Sequence, residues 1–203
     1  MKLYFSPGAC SLSPHIVLSE SGLPFESETV DLQAKKNKSG ADFRQINHKG
    51  QVPTLQMDDG QILTEGAVIV QYIADRNPGA KLAPAAGTPE RYRLQEWLSF
   101  INSEVHKSFS PLFSPEATEP TKEYARHYLT RRLNYLQGAL GDRKYLMGEQ
   151  FTIADAYLFT VLGWGHHVGV DLAKWPGLKA YHERVGARPK VVEALTAEGL
   201  IKK

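Results

Sequence analysis

Hydrophobic and polar positions change period several times along this chain. Lys2 to Phe5 is a short β-prone run closed by Pro7-Gly8, and Leu12, Ile16 and Val17 then recur at helical spacing between Ser11 and Ser21. That pattern predicts strand, turn and helix. Pro14 falls in the first helical turn, where amides have no intrahelical partner to lose. The alternation in LPFESETVDL predicts a second strand over Phe25 to Val30, and the handedness and spacing of such a βαβ unit make the two strands parallel. QVPTLQMDDGQIL reads as two short strands around an Asp59-Gly60 turn, an antiparallel hairpin. In TEGAVIVQYIADRNPG, the spacing of Val68, Ile69, Tyr72 and Ile73 predicts a helix that Pro78-Gly79 ends.

The order βαβ, then ββα, is that of a thioredoxin-like domain, placed over residues 1–80. The stretch NPGAKLAPAAGTPE is a Pro/Gly/Ala-rich connector, with the linker at 81–87, and residues 88–203 read as helix throughout. The predicted fold class is therefore α/β plus all-α. From Thr88 to Phe113, Leu94, Leu98, Ile101, Val105, Phe109 and Leu112 share one stripe, while Ser99, Ser103 and His106 share another nearly opposite. A second helix turns Tyr124, Tyr128, Leu133, Leu136 and Leu140 inward. FTIADAYLFTVLGW opens on Thr152 with Asp155 three residues on, a capping-box pattern, and is then apolar nearly all round. Such a helix belongs at the centre of the second domain. Two short helices, broken at Pro176 and at Gly186 to Pro189, complete it.

Composition narrows the function. With 203 residues, 42% hydrophobic and 23% charged, the chain can bury a real core. A net charge of +2 with both signs interspersed offers no broad cationic face for a phosphate backbone, so no nucleic-acid partner is expected. The run KKNK, Lys35 to Lys38, reads as a solvated loop. The uncharged stretch Ala156 to Val170 is shorter than the ~18 apolar residues of a membrane span and contains two histidines. No membrane partner is expected, and with no secretory signal pattern at the start the expected compartment is the cytoplasm.

Cys10 is the single cysteine, so no intrachain disulfide can form. It stands where a strand has ended and a helix begins, a place where unpaired amides and the helix dipole favour a thiolate. In CSLS, Ser13 occupies the second position of a redox C-x-x-C, which excludes a dithiol cycle within the chain. Redox chemistry at Cys10 must then borrow a thiol from a small molecule. In a thioredoxin-like domain, that requirement points to glutathione.

The ordered set MKLYFSPGACSLSPHI, GQVPTL at 50–55, LTEGAVIVQYIAD from residue 63, SEVHKSFSPLF from residue 103 and FTIADAYLFTVLGW has cysteine rather than tyrosine or serine near residue 10. Over its full length the chain resembles the bacterial beta-class glutathione S-transferases. The resemblance implies glutathione as co-substrate without a prosthetic group, a helical domain forming most of a pocket for small electrophiles, and a homodimer. It implies that Val52 offers its main chain to the cysteinyl part of glutathione across a cis bond to Pro53. Glu65 receives the ammonium and Gly66 holds the γ-glutamyl carboxylate at a helix start. Lys35 contacts the glycyl end, Gln51 adds a polar contact, and Ser99, Ser103 and His106 face the active site. Glu104 reaches the neighbouring subunit's glutathione, and Lys107 stands beside His106 as a cation able to lower a thiol pKa. Ser99 replaces an asparagine common in the family, and Gly66 replaces a serine. Phe109, Tyr157 and Trp164 are candidate walls of the electrophile pocket. His166-His167 have no companion carboxylate at ligand spacing, so no metal is expected.

The expected reaction is conjugation of the glutathione thiolate to small apolar electrophiles, with Cys10 and His106 as the catalytic residues and Cys10 also able to form a mixed disulfide with glutathione. Lowering a thiol pKa by about 2 units corresponds to roughly 2.7 kcal/mol, within reach of helix amides and nearby cations together. The alternatives are a glutaredoxin-like thiol transferase, for which CSLS is the distinguishing feature, and a glutathione-dependent dehalogenase. A non-enzyme alternative is a glutathione or ligand-binding module, because fold alone does not fix activity.

Overall fold

In the computed structural model, which describes residues 1–202, β1 (Lys2–Phe5) buries Leu3, Tyr4 and Phe5 because it is the middle strand of five. β2 (Glu26–Asp31) pairs with it in parallel, and β4 (Thr54–Gln56) pairs antiparallel on its other side. β5 (Ile62–Thr64) closes the hairpin with β4 around Asp59-Gly60, as the turn residues predict. A two-residue strand, β3 (Lys36–Asn37), adds to the outer edge of β2. Its place in KKNK corrects the expectation of a plain loop: Val30 and Asp31 present a free strand edge, and Asn37 turns the chain through bonds to Ala41. The order β3-β2-β1-β4-β5 is the mixed sheet expected of a thioredoxin-like domain.

The sheet is flanked by α1 (Leu12–Ser21) and α2 (Gly66–Arg76). α2 buries Ile69 and Ile73 as its spacing predicts, whereas Val68 is exposed. Nearly every residue of α1 is buried, since α2 and α8 (Pro189–Ala197) both pack on it. Here the structure departs from the sequence-based boundaries. The compact units are Met1–Ala83 together with the chain from Ala187, and Pro84–Gly186. α8 joins the first unit through Arg188, whose guanidinium donates to both oxygens of Glu20 at 2.7 and 2.9 Å. The break at Gly186 to Pro189 that ends one helix thus also marks a change of unit.

The second unit is helical. α3 (Pro89–Phe100) starts at a Thr88 cap, passes through a π-helical stretch (Ile101–His106) and resumes as α4 (Lys107–Phe113). The single helix expected from Thr88 to Phe113 is therefore widened in its middle. Ser103 and Ser108 hydroxyls donate to the carbonyls of Ser99 and Glu104 at this stretch, and Pro111 brings no amide to the helix after it. α5 (Glu119–Leu140) buries Ala125, Leu129, Leu133, Leu136 and Leu140. Tyr124 lies in solvent and Tyr128 is half-buried, so the inward stripe runs one residue later than their apolar rings suggested.

α6 (Ile153–Gly163) is central, with every residue from Ile153 to Leu162 buried. Its capping box forms as predicted. Asp155 accepts from the amides of Thr152 and Leu146 at 2.8 and 2.9 Å and from the hydroxyl of Tyr181 on α7 (Pro176–Gly186) at 2.9 Å. Burial raises the Asp155 carboxyl above its ordinary range even against these donors. Among the described residues, no helix is long and apolar enough to cross a membrane.

Candidate functional site

Cys10 occupies a turn between β1 and α1 that Ser11 closes: the Ser11 hydroxyl accepts from the Ser6 amide at 3.0 Å and donates to the Ser6 carbonyl at 3.2 Å. The amides of Leu12 and Ser13 bond to the carbonyls of Ala9 and Cys10. These two donors, which sequence reasoning left open for a thiolate, are thus already engaged. Cys10 Sγ itself lies 3.1 Å from the carbonyl oxygen of Val52 and donates to it as a thiol. A carbonyl oxygen repels a thiolate, so ionisation requires the sulfur to turn away from Val52 or to meet a new donor.

Val52, Pro53 and their neighbours are shaped by Asn47, a residue that sequence reasoning missed. Its buried amide donates to the Gln51 carbonyl and to Thr54 Oγ1, both at 2.9 Å, and its Oδ1 accepts from the Lys49 amide at 3.1 Å. An Asn bonding to the amide two residues on is an Asx turn, and the Asn-x-x-Gly spacing from Asn47 to Gly50 is the trace it leaves in the sequence. The Val52-Pro53 peptide is cis. Gln51 is exposed, while Val52 and Pro53 are buried. Lys35, held at φ 56°, donates from Nζ to the Gly50 carbonyl at 2.9 Å.

Glu65 precedes α2 with φ 69° and ψ 108°, a conformation rare outside glycine. Its carbonyl accepts the amides of Val68 and Ile69, so Gly66 and Ala67 head the helix with no intrahelical carbonyl before them. Gly66 packs on Pro53, and a Cβ there would meet the proline ring at 3.5 Å. The exposed Glu65 carboxylate is met by Lys49 Nζ at 2.5 Å. Cys10, Lys35, Gln51, Val52, Pro53, Glu65 and Gly66 therefore all belong to the first unit. They supply a thiol, a loop carbonyl, a cation, a carboxylate and a helix start.

The remaining predicted residues belong to the helical unit. His106 Nδ1 is 2.7 Å from the Tyr157 hydroxyl, which in turn lies 3.0 Å from Asn102 Oδ1. When that hydroxyl donates to Asn102, Nδ1 carries the His106 proton and Nε2 is left as an acceptor. Burial, aided by the Lys107 charge, lowers the His106 pKa to about 4, so the ring is neutral near pH 7. Trp164 meets His106 edge-on at 4.8 Å between ring centroids and Phe109 at 5.5 Å, which unites His106, Tyr157, Trp164 and Phe109 in one aromatic cluster. Ser99, Ser103 and Lys107 are exposed, outside that cluster. Glu104 is turned to α5, where Tyr128 and Arg132 donate to its Oε2 at 2.6 and 2.5 Å. These donors hold its carboxyl below the usual range. The His166 and His167 rings touch at 3.6 Å between centroids, tilted by 41°, and among the described residues no three His, Cys, Asp or Glu converge to hold a metal ion.

Comparison with known proteins accounts for both units. Residues 1–75 match the family model of the glutathione S-transferase N-terminal domain, and residues 100–189 match that of the C-terminal domain. Glutathione S-transferase GstA of Escherichia coli O157:H7 is 46% identical over 200 residues, covering 98% of this chain and 100% of that protein. A sphingomonad glutathione S-transferase complexed with glutathione superposes with a TM-score of 0.96 at 47% identity, over 99% of this chain and 100% of that one. The beta-class glutathione S-transferase of Sphingomonas chungbukensis gives 0.96 at 48% identity with the same coverage. With this agreement over nearly its whole length, the chain belongs to the glutathione S-transferase family, in its bacterial beta class.

Proposed function

We propose that the chain binds glutathione along the Val52 loop of its first unit and transfers the glutathione sulfur to small apolar electrophiles. The observation that carries this is the 3.1 Å approach of Cys10 Sγ to the carbonyl of Val52, in the loop that leads into β4, where Pro53 packs on Gly66 at the start of α2. Lys35 and the exposed Gln51 take the glycyl end, the α2 start at Gly66 takes the γ-glutamyl carboxylate, and Glu65 exchanges Lys49 for the ligand's ammonium. The bound thiol loses its proton to solvent, its sulfur bonds to the electrophilic carbon, and the leaving group departs with the electron pair. Phe109, Tyr157 and Trp164 provide the apolar wall. Neutral His106 acts as a hydrogen-bond partner, with Ser99, Ser103 and Lys107 as polar neighbours. The working form is a cytoplasmic homodimer in which Glu104, fixed by Arg132 and Tyr128, addresses the other subunit's glutathione.

A second reading is thiol exchange, favoured by the half-exposed Cys10 and by Ser13 in the resolving position, with its hydroxyl buried and unpartnered. There the Cys10 thiolate attacks the glutathionyl sulfur of a glutathione mixed disulfide, a glutathionyl–Cys10 disulfide forms as the other thiolate leaves, and a second glutathione thiolate displaces the Cys10 thiolate and departs as glutathione disulfide.

The test is the rate of alkylation of Cys10, the sole thiol, against pH with and without S-methylglutathione. Protection of Cys10 by the ligand supports glutathione binding there, and alkylation that the ligand leaves unchanged overturns it. Cys10→Ala then separates the two chemistries. Retained conjugation of an aromatic chloride with loss of disulfide reduction assigns exchange to Cys10, while equal loss of both assigns it to conjugation as well. Sedimentation at micromolar concentration tests the dimer.

A further inference from the structure

The helical unit contains a cavity lined by none of the residues assigned above to glutathione or the electrophile. Its volume is about 380 Å³, enough for a compact bicyclic molecule. Leu162, Val170 and Leu172 give it apolar walls, and His166, Asp171 and His182 are its polar groups. Among the described residues, neither Lys nor Arg is part of its lining.

Those polar groups present acceptors. The His182 ring stacks on Phe159, with centroids 4.4 Å apart and planes 20° from parallel. One ring nitrogen is bonded to the Phe159 backbone, while Nε2 is buried with no partner and lies against Gly163, where a Cβ would come within 3.5 Å of it. Burial holds the His182 pKa below its ordinary value, so the ring is neutral near pH 7 and Nε2 carries a lone pair. His166 donates its Nδ1 proton to the Gly163 carbonyl at 2.5 Å, which leaves Nε2 as its other nitrogen. Asp171 Oδ1 accepts the Ala173 amide at 2.8 Å, and the carboxylate has capacity for further donors.

The wall between α6 and α7 is fixed by its backbone. The amides of Val168 and Val170 both bond to the Gly165 carbonyl, at 3.1 and 2.9 Å. Gly165 allows this closeness, since a Cβ on it would stand 2.5 Å from the Val170 carbonyl oxygen. An unpaired buried acceptor and an exposed carboxylate in the lining of one largely apolar cavity are matched by a ligand that brings N–H donors and an aromatic body.

We infer that this cavity is a binding site for a compact aromatic amine, with its ring between Leu162, Val170 and Leu172 and its N–H groups donated to His182 Nε2 and the Asp171 carboxylate. The site is separate from glutathione turnover, so its ligand and glutathione bind together.

The test is calorimetric titration with 1-naphthylmethylamine, with 1-naphthoate as the matched anion, in the presence and absence of saturating S-hexylglutathione. The amine is expected to bind with a Kd below about 1 mM. S-hexylglutathione should change that Kd by less than about twofold. Asp171→Asn should weaken binding by about tenfold, and naphthoate should bind at least that much more weakly than the amine. Imidazole ¹⁵N signals of the unmutated protein give a readout that needs no variant: His182 Nε2 should move with the amine along the same saturation curve. No binding of the amine, equal binding of naphthoate, displacement by S-hexylglutathione, an unchanged Kd in Asp171→Asn, or a stationary His182 signal would each overturn the assignment.

Discussion

The imidazole of His15 and the carboxylate of Glu198 meet at 2.8 Å across 183 residues of sequence, with neither side chain reaching solvent. The other Glu198 oxygen accepts the amide of Gly8 at 2.9 Å. A carboxylate is tolerated at such depth only when its lone pairs are used. The end of α8 thus anchors both α1 and the turn that delivers Cys10, and this explains why the last helix belongs to the first unit.

Removing that carboxylate leaves a buried imidazole and a backbone amide without their acceptor. Glu198→Ala should lose about 3–5 kcal/mol of stability in urea denaturation, and Glu198→Gln should lose less because an acceptor remains. Alkylation of Cys10 in Glu198→Ala should also quicken as its turn loosens. A loss under about 1 kcal/mol would show that the contact is not an anchor.

Local patterns announced most of this fold. The Asp59-Gly60 hairpin, the Thr152–Asp155 capping box and the apolar α6 each depend on residues close together in sequence, and each formed as its pattern indicated. Contacts between distant residues left no such trace. The placement of α8 depends on Glu198 finding His15 and Gly8, and Tyr124 counts as apolar in a helical stripe although its position on α5 faces water. The candidate site divides in the same way. Cys10 stood out as the sole thiol at a helix start, whereas Asn47 acts through three bonds within its own loop and resembles any loop asparagine until the chain is folded.

His106 makes stability depend on pH. Its pKa falls from 6.5 to about 4 on folding, so between these values the unfolded chain binds a proton that the folded chain excludes. Above pH 6.5 this has no effect on stability, and as pH falls to 4 and below, protonation of the unfolded chain lowers stability by up to about 3 kcal/mol. His182 is shifted the same way and adds to the slope. Thermal melts of the unmutated protein and of His106→Gln should therefore differ in slope over this range, the variant being flatter. Parallel curves would show that His106 titrates normally.

Asn47 tests the architecture of the glutathione loop. Asn47→Ala removes one of the two side-chain donors to the Gln51 carbonyl, which keeps the Thr54 hydroxyl, and takes the Asn47 bond from Thr54 Oγ1 and from the Lys49 amide. It should lose about 2–3 kcal/mol of stability and weaken glutathione binding by about tenfold, although Asn47 contacts no ligand group in the proposed mode. Asn47→Asp keeps Oδ1 for the Lys49 amide but cannot donate, so it should retain part of the stability and little of the affinity. Glutathione titration and denaturation of both variants give the comparison, and unchanged affinity in Asn47→Ala would separate this loop from the ligand.

Glu65 should show stability and binding moving in opposite directions. A non-glycine residue at φ 69° and ψ 108° is held against its backbone preference, at a cost of about 1–3 kcal/mol. Its carboxylate gains little in return while no ligand is bound, since the pair with Lys49 is more than half exposed on both sides. Glycine adopts such angles without the Cβ clash, although it gains more freedom in the unfolded chain. Glu65→Gly should therefore be at least as stable as the unmutated protein, by up to about 1 kcal/mol, while losing glutathione affinity. Glu65→Gln, which keeps the strain and removes the charge, should lose affinity with no gain in stability. If Glu65→Gly proved less stable than Glu65→Gln, the strain would be absent and the conformation of residue 65 would serve the fold rather than the ligand.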